Sequence, residues 1–194
     1  MGDKSAQKKQ YIIEKAREVF VEKGFKYVTM KDIVDACEIS RGGLYLYFSS
    51  TKEIFEAVLQ LEAEESENVF RGNIPEDATP ADVFAIFLKE QKKEIISKKS
   101  MLTIAIYEYF LTYKVPKGKN RLRTQFDIAT KVIESLICSG IESGEFYCDN
   151  PEAMAKNIMF ELEGMKICAQ TMFISEKMVN EEILFIMKNL LLDE

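Results

Sequence analysis

Residues Ser40 to Ser50, SRGGLYLYFSS, place a guanidinium, two bare glycines and two tyrosine hydroxyls within a few helical turns. Such groups suit recognition of an anionic, hydrogen-bonding polymer better than bond-breaking chemistry. Gly42 and Gly43 lack a Cβ, so main chain there can come close to a duplex. Amides in a first helical turn also point outward toward any phosphate. Tyr45 and Tyr47 offer hydroxyls for phosphate while their rings brace the helix. Contacts of that kind position a protein without reading sequence. Arg41 is the candidate base reader, because a guanidinium pairs with guanine O6 and N7 for about 1–3 kcal/mol of discrimination. Thr29, Lys31, Ser40 and the amino-terminal Lys8 and Lys9 are further candidates for phosphate, whereas Leu44 and Phe48 fall to a local core. Taken singly, a glycine pair marks a turn and tyrosines at this spacing are half-buried packing. Their order behind a cap, a turn and basic residues is what favours DNA.

Catalysis finds little support. The 194 residues include no histidine, which removes the usual imidazole base, metal ligand and pH switch. Cys37, Cys138, Cys148 and Cys168 are scattered without a C-x-x-C pair and read as reduced thiols. Glu161 with Glu163, or Glu64 with Glu65, would be needed for carboxylate chemistry, but those spacings put neighbours on different helix faces. No E-x-x-H pair exists, so a di-metal bundle is not expected either. The expectation is no enzyme, no cofactor and no metal. The opening MGDKSAQKKQ has no apolar segment and no run is long enough to span a bilayer, so the expected location is cytoplasmic.

Net charge is −6, which by itself argues against a phosphate-rich partner. Its distribution reverses that argument. Residues 1–53 carry 10 Lys+Arg against 8 Asp+Glu, so the acidic excess lies wholly in the remainder. A mildly basic head precedes an acidic body, and two functions are implied.

The elements that must position these groups read as helix throughout, with apolar residues recurring at three and four. A first helix is predicted from about Ser5 to Lys23, stopped by Gly24. Thr29-x-x-Asp32 predicts a capped second helix, and a three-residue turn leads to a third near Arg41. Short helix, tight turn, short helix is the arrangement that lays a helix in the DNA major groove. Ser50-x-x-Glu53 predicts the cap of a fourth helix ending near Phe70, with a loop over RGNIPEDATP. Five more helices are predicted at about 80–97, 100–113, 120–143, 151–173 and 176–192.

The segment IIEKAREVFVEKGFKYVTMKDIVDACEISRGGLYLYFSSTKEIF resembles the helix-turn-helix domain of the tetracycline-repressor (TetR) family. Ala16, Phe20, Gly24, Thr29, Asp32-Ile33, Ile39-Ser40, Gly42, Leu44-Tyr45, Tyr47-Phe48 and Ser50 carry the resemblance over about 45 residues. It implies an all-α protein of about nine helices. Residues 1–53 would form a three-helix DNA-binding domain, and residues 54–194 a larger helical domain for effector binding and dimerisation. It implies a transcriptional regulator, a repressor released from a palindromic operator by a small molecule. Three positions depart from the family pattern: Gly43 where threonine or alanine is common, Thr51 where a phosphate-binding lysine is common, with Lys52 beside it as the candidate to take that contact, and Glu38 in a turn where glycine is usual. A helical interaction adaptor that dimerises but no longer binds specific DNA is therefore the alternative.

The last two predicted helices carry two apolar faces each. One face meets the chain's own core and the other needs a partner, which predicts a two-fold homodimer through a four-helix bundle. Phe87, Met101, Ile104, Tyr107, Glu108, Phe126 and Met165 are the candidates to line an effector cavity, with Tyr107, Glu108 and Gln125 supplying polar contacts.

Overall fold

The computed structural model describes residues 2–72, 74–97 and 102–191. Within them the chain forms nine α-helices and no strand: α1 (Gly2–Lys23), α2 (Met30–Cys37), α3 (Arg41–Tyr45), α4 (Thr51–Gly72), α5 (Pro80–Ile96), α6 (Leu102–Thr112), α7 (Arg121–Glu142), α8 (Pro151–Thr171) and α9 (Glu176–Lys188). They cluster into two compact units. One comprises Met1–Val69 with Lys99–Lys114, the other Phe70–Lys98 with Val115–Glu194.

In the first unit α1 packs on α2 and α6, and α2 on α3. Ile12, Ala16 and Phe20 of α1 are fully buried, the i, i+4, i+8 stripe that the sequence shows. Gly24 ends α1 in the left-handed region at φ +74°. Both halves of the α2 capping box form: Thr29 Oγ1 accepts from the Asp32 amide, and the Asp32 carboxylate accepts from the Thr29 amide at 2.8 Å. The α4 cap differs from the sequence expectation. Ser50 Oγ accepts from the Glu53 amide as predicted, but the Glu53 carboxylate reaches one residue further back, to the Ser49 amide and hydroxyl, both at 2.7 Å. Phe20, Phe25, Phe55 and Tyr109 form the ring cluster at the centre of this unit, with Phe20 and Phe55 edge to face at 4.7 Å. Tyr109 brings α6 into that cluster, and its hydroxyl donates to Glu56 at 2.6 Å.

In the second unit α5 packs against α7, α8 and α9, and α7 against α8. Phe84, Leu88, Ile95, Ile133, Ile137, Ile158, Leu162 and Ile186 fill the core. Thr79 caps α5 through a box with Asp82, and Asn150 caps α8 ahead of Pro151 at the first helical position. Gly140 of α7 lies under the Phe146 ring so closely that a Cβ would stand 2.1 Å from it. Burial opposes the Lys166 charge, but Glu163 at 3.2 Å and Glu94 at 3.3 Å outweigh it and raise its pKa. Helix α8 stops at Thr171, two residues short of its predicted end, because Phe173 takes a left-handed conformation at φ 54°.

Candidate nucleic-acid interface

Helix α3 is short, and its i, i+4 rows assign each side chain a direction. Leu44 and Phe48 form the inward row and are buried in the first unit. Arg41 and Tyr45 form an outward row, with the Arg41 guanidinium 5.6 Å from the centre of the Tyr45 ring. Gly42 and Leu46 form a second outward row. A Cβ built on Gly42 would meet no atom within 4 Å, so its main chain faces open space. Gly43 and Tyr47 flank these rows and are half-buried. The helix ends with Leu46 as its C-cap, still at helical φ −67°, ψ −23°.

The start of α3 is set by Ser40, whose Oγ accepts from the Gly43 amide at 3.0 Å. That bond corrects one sequence expectation: the Gly43 amide closes the cap instead of pointing outward. A Cβ at Gly43 would also lie 3.2 Å from the same Oγ. Glu38, in the turn before α3, sits at φ 52°, ψ 40°, the left-handed position that glycine would fill without penalty. The tetracycline-repressor pattern has glycine there, and this chain tolerates a strained glutamate.

The remaining polar candidates divide by how their groups are engaged. Lys31, Ser40 and Arg41 are exposed. Thr29 is exposed too, but its hydroxyl donates to Asp32 at 2.7 Å as well as capping α2. Lys23 at 2.7 Å, then Thr29, hold the Asp32 carboxyl down to about 2. Lys52 runs along α4, 3.9 Å from Glu56, with its ammonium 4.8 Å from the Tyr113 ring centre. Lys8 lies over Tyr11 and Lys9 over Phe48, so Lys9 of α1 stands beside the inward anchor of the α3 segment.

The effector candidates are distributed over both units. Met101 lies outside the described residues. Ile104, Tyr107 and Glu108 belong to α6 in the first unit, and Phe87, Phe126 and Met165 to the second. Glu108 is committed to the fold: its Oε2 accepts from the amides of Phe25 at 2.7 Å and Lys26 at 3.1 Å. Gln125 is exposed on α7, and the Phe126 ring packs 5.0 Å from that of Phe160. The second unit has a pocket of about 240 Å³ lined by Glu161, Met165, Cys168, Ile174, Met178 and Glu182, which takes in only Met165 from the candidate set. Burial, then the facing charge of Glu182, lift the Glu161 carboxyl to about 7. The spacing puts Glu163 on a different face from Glu161, and the carboxylate that acts on Glu161 is on α9, a relation that no local pattern reveals. Among the described residues no cluster could hold a metal ion, and no helix is long and apolar enough to cross a membrane.

A capped helix, a tight turn and a second helix with a bare exposed edge define a helix-turn-helix DNA-binding transcription regulator. The chain belongs to the tetracycline-repressor family. Residues 12–58 match the model for bacterial regulatory proteins of the tetR family, and residues 84–180 the tetracyclin repressor-like C-terminal domain. The uncharacterized HTH-type transcriptional regulator YfiR of Bacillus subtilis is 31% identical over 143 residues, covering 73% of this chain and 69% of that one. The HTH-type transcriptional regulator QacR of Staphylococcus aureus is 24% identical over 177 residues, 90% of each chain. A TetR transcription regulator from Haloarcula marismortui shares the fold at TM-score 0.83 and 16% identity, over 96% of this chain and 100% of that one. The family binds operator DNA, acts as dimers and takes small-molecule ligands.

Proposed function

We propose that the chain is a homodimeric repressor that leaves a palindromic operator when a small-molecule effector binds. The observation that carries the DNA half of this reading is the bare, outward edge at Gly42, one turn before Leu46 and beside the exposed Arg41–Tyr45 row. In this reading α3 enters the major groove and Arg41 pairs with guanine. Thr29, Lys31, Ser40, Tyr45, Tyr47 and Lys52 serve the flanking phosphates, and the main chain at Gly42 and Gly43 lies against the duplex.

Dimerisation is supported by α8 and α9. Phe160 of α8, Phe173 just after it, and Leu184 and Phe185 of α9 are all more than half exposed, and so many exposed large apolar side chains on two consecutive helices support an interaction face. A second copy packing its own α8 and α9 there covers them. Two tethered heads then bind two half-sites in one event, with recognition helices about 34–36 Å apart.

Release by effector is supported by α6. Through Glu108 it holds the Phe25 and Lys26 amides between α1 and α2, and through Tyr109 it enters the aromatic core of the first unit. Effector contact at Ile104 or Tyr107 of α6, or at Phe87, Phe126 and Met165 of the second unit, would favour a conformation in which the heads no longer match the operator.

Titration onto the DNA upstream of its own gene at several salt concentrations tests the core of the reading. Affinity should fall steeply with salt and favour a palindrome, and Arg41→Ala should relax that preference. Equal, sequence-independent binding by wild type and Arg41→Ala at low salt would support the adaptor instead.

A further inference from the structure

Leu46 is 82% exposed, beside the two residues of α3 best suited to meet DNA. A single exposed leucine is ordinary on a protein surface. This one is set apart by its row. Its amide donates to the Gly42 carbonyl at 3.2 Å, so it stands one helical turn beyond Gly42 on the same edge. Gly42 puts nothing between main chain and solvent, so a duplex that closes on Gly42 also meets the isobutyl group of Leu46. Arg41 and Tyr45 occupy the neighbouring row and can flank it without covering it.

The chemistry of the groove then narrows what Leu46 can face. Base edges in the major groove present donors, acceptors and one apolar feature, the C5 methyl of thymine. Leucine has no polar atom to offer a guanine O6 or a cytosine amino group. Against either it would strip water and give no hydrogen bond in return. Resting on the assignment of α3 as the groove-entering helix, we propose that Leu46 reads sequence by seating its side chain on the C5 methyl of a thymine in each operator half-site.

Replacing thymine by deoxyuridine removes that methyl and leaves the hydrogen-bonding edge intact. A duplex selected by the wild-type dimer from a randomised pool would be resynthesised with each thymine replaced in turn, and affinity followed by fluorescence anisotropy. One symmetry-related thymine should cost wild type about fourfold when replaced in one half-site, the worth of one buried methyl, and about 15-fold in both. Leu46→Ala should bind the thymine and deoxyuridine duplexes equally, with an unchanged thermal midpoint because the side chain is exposed. A merely structural role would weaken both duplexes alike and keep the penalty. A selected half-site without thymine, a wild-type protein indifferent to every replacement, or a Leu46→Ala variant that retains the penalty would each overturn the proposal. If sequence preference and its relaxation by Arg41→Ala survive such a result, only the role of Leu46 fails. If wild type selects no sequence at all, the regulator reading fails with it.

Discussion

Replacing Gly42 by alanine adds one methyl group at a place where folding and DNA binding should respond in opposite directions. The backbone there is helical, and the added Cβ would meet no atom within 4 Å. Alanine should therefore stabilise α3 by about 0.4–1 kcal/mol, by its higher helix propensity and by restricting the unfolded chain. In a chain of this length that corresponds to a rise of about 1–4 °C in thermal midpoint. Against a duplex docked on the same main chain, the methyl becomes overpacking, which costs about 1–3 kcal/mol per contact. The operator affinity of each half-site should drop by about 5- to 150-fold, and a dimer pays twice. Thermal melts and anisotropy titrations on one preparation read both quantities. Gly43→Ala is the comparison, since its Cβ would lie 3.2 Å from the Ser40 hydroxyl, which must give way by a few tenths of an ångström before the same gain is realised. A stabilised Gly42→Ala variant with wild-type affinity would show that DNA does not approach this edge. A destabilised one would show that the edge is packed within the protein.

Other perturbations test the second unit. Gly140→Ala should destabilise by about 1–3 kcal/mol, because its Cβ would collide with the Phe146 ring at 2.1 Å; an unchanged melt would contradict that packing. Joint substitution of Leu184 and Phe185, 58% and 59% exposed, by glutamate should give a monomer mass by light scattering at micromolar concentration, with operator affinity lost in step. Glu161, lifted to about 7 by burial and Glu182, holds in the folded state a proton that the unfolded chain releases near 4.5. Its contribution to stability is complete below about pH 4.5 and fades as pH rises through about 7. Glu161→Gln should flatten that part of the profile of thermal midpoint against pH, and an unaltered profile would exclude the coupling.

The sequence carried the local structure well where short-range chemistry decides it. Thr29 with Asp32, Asn150 before Pro151, and the Ile12–Ala16–Phe20 stripe each place an element without reference to the rest of the chain. The inward row of Leu44 and Phe48 was legible for the same reason, and so was the bare edge at Gly42. Long-range partners were not. Nothing in the periodicity of α6 marks Glu108 as an acceptor for amides 82 and 83 residues earlier. The facing of Glu161 and Glu182 depends in the same way on how α8 meets α9. The exposure of Leu46 has no mark of its own in the sequence, and only the built helix shows which way it faces.

The return of α6 into the first unit bears on how such proteins can be recombined. A chimera that transplants this head by one crossover after α4 would leave the Phe25 and Lys26 amides without their carboxylate and the ring cluster without Tyr109. Each orphaned amide would cost about 1–3 kcal/mol where it stays buried. A graft that exchanges specificity while keeping the head intact has to carry two separate stretches of chain, or choose a recipient whose own sixth helix presents an acidic side chain at the matching position.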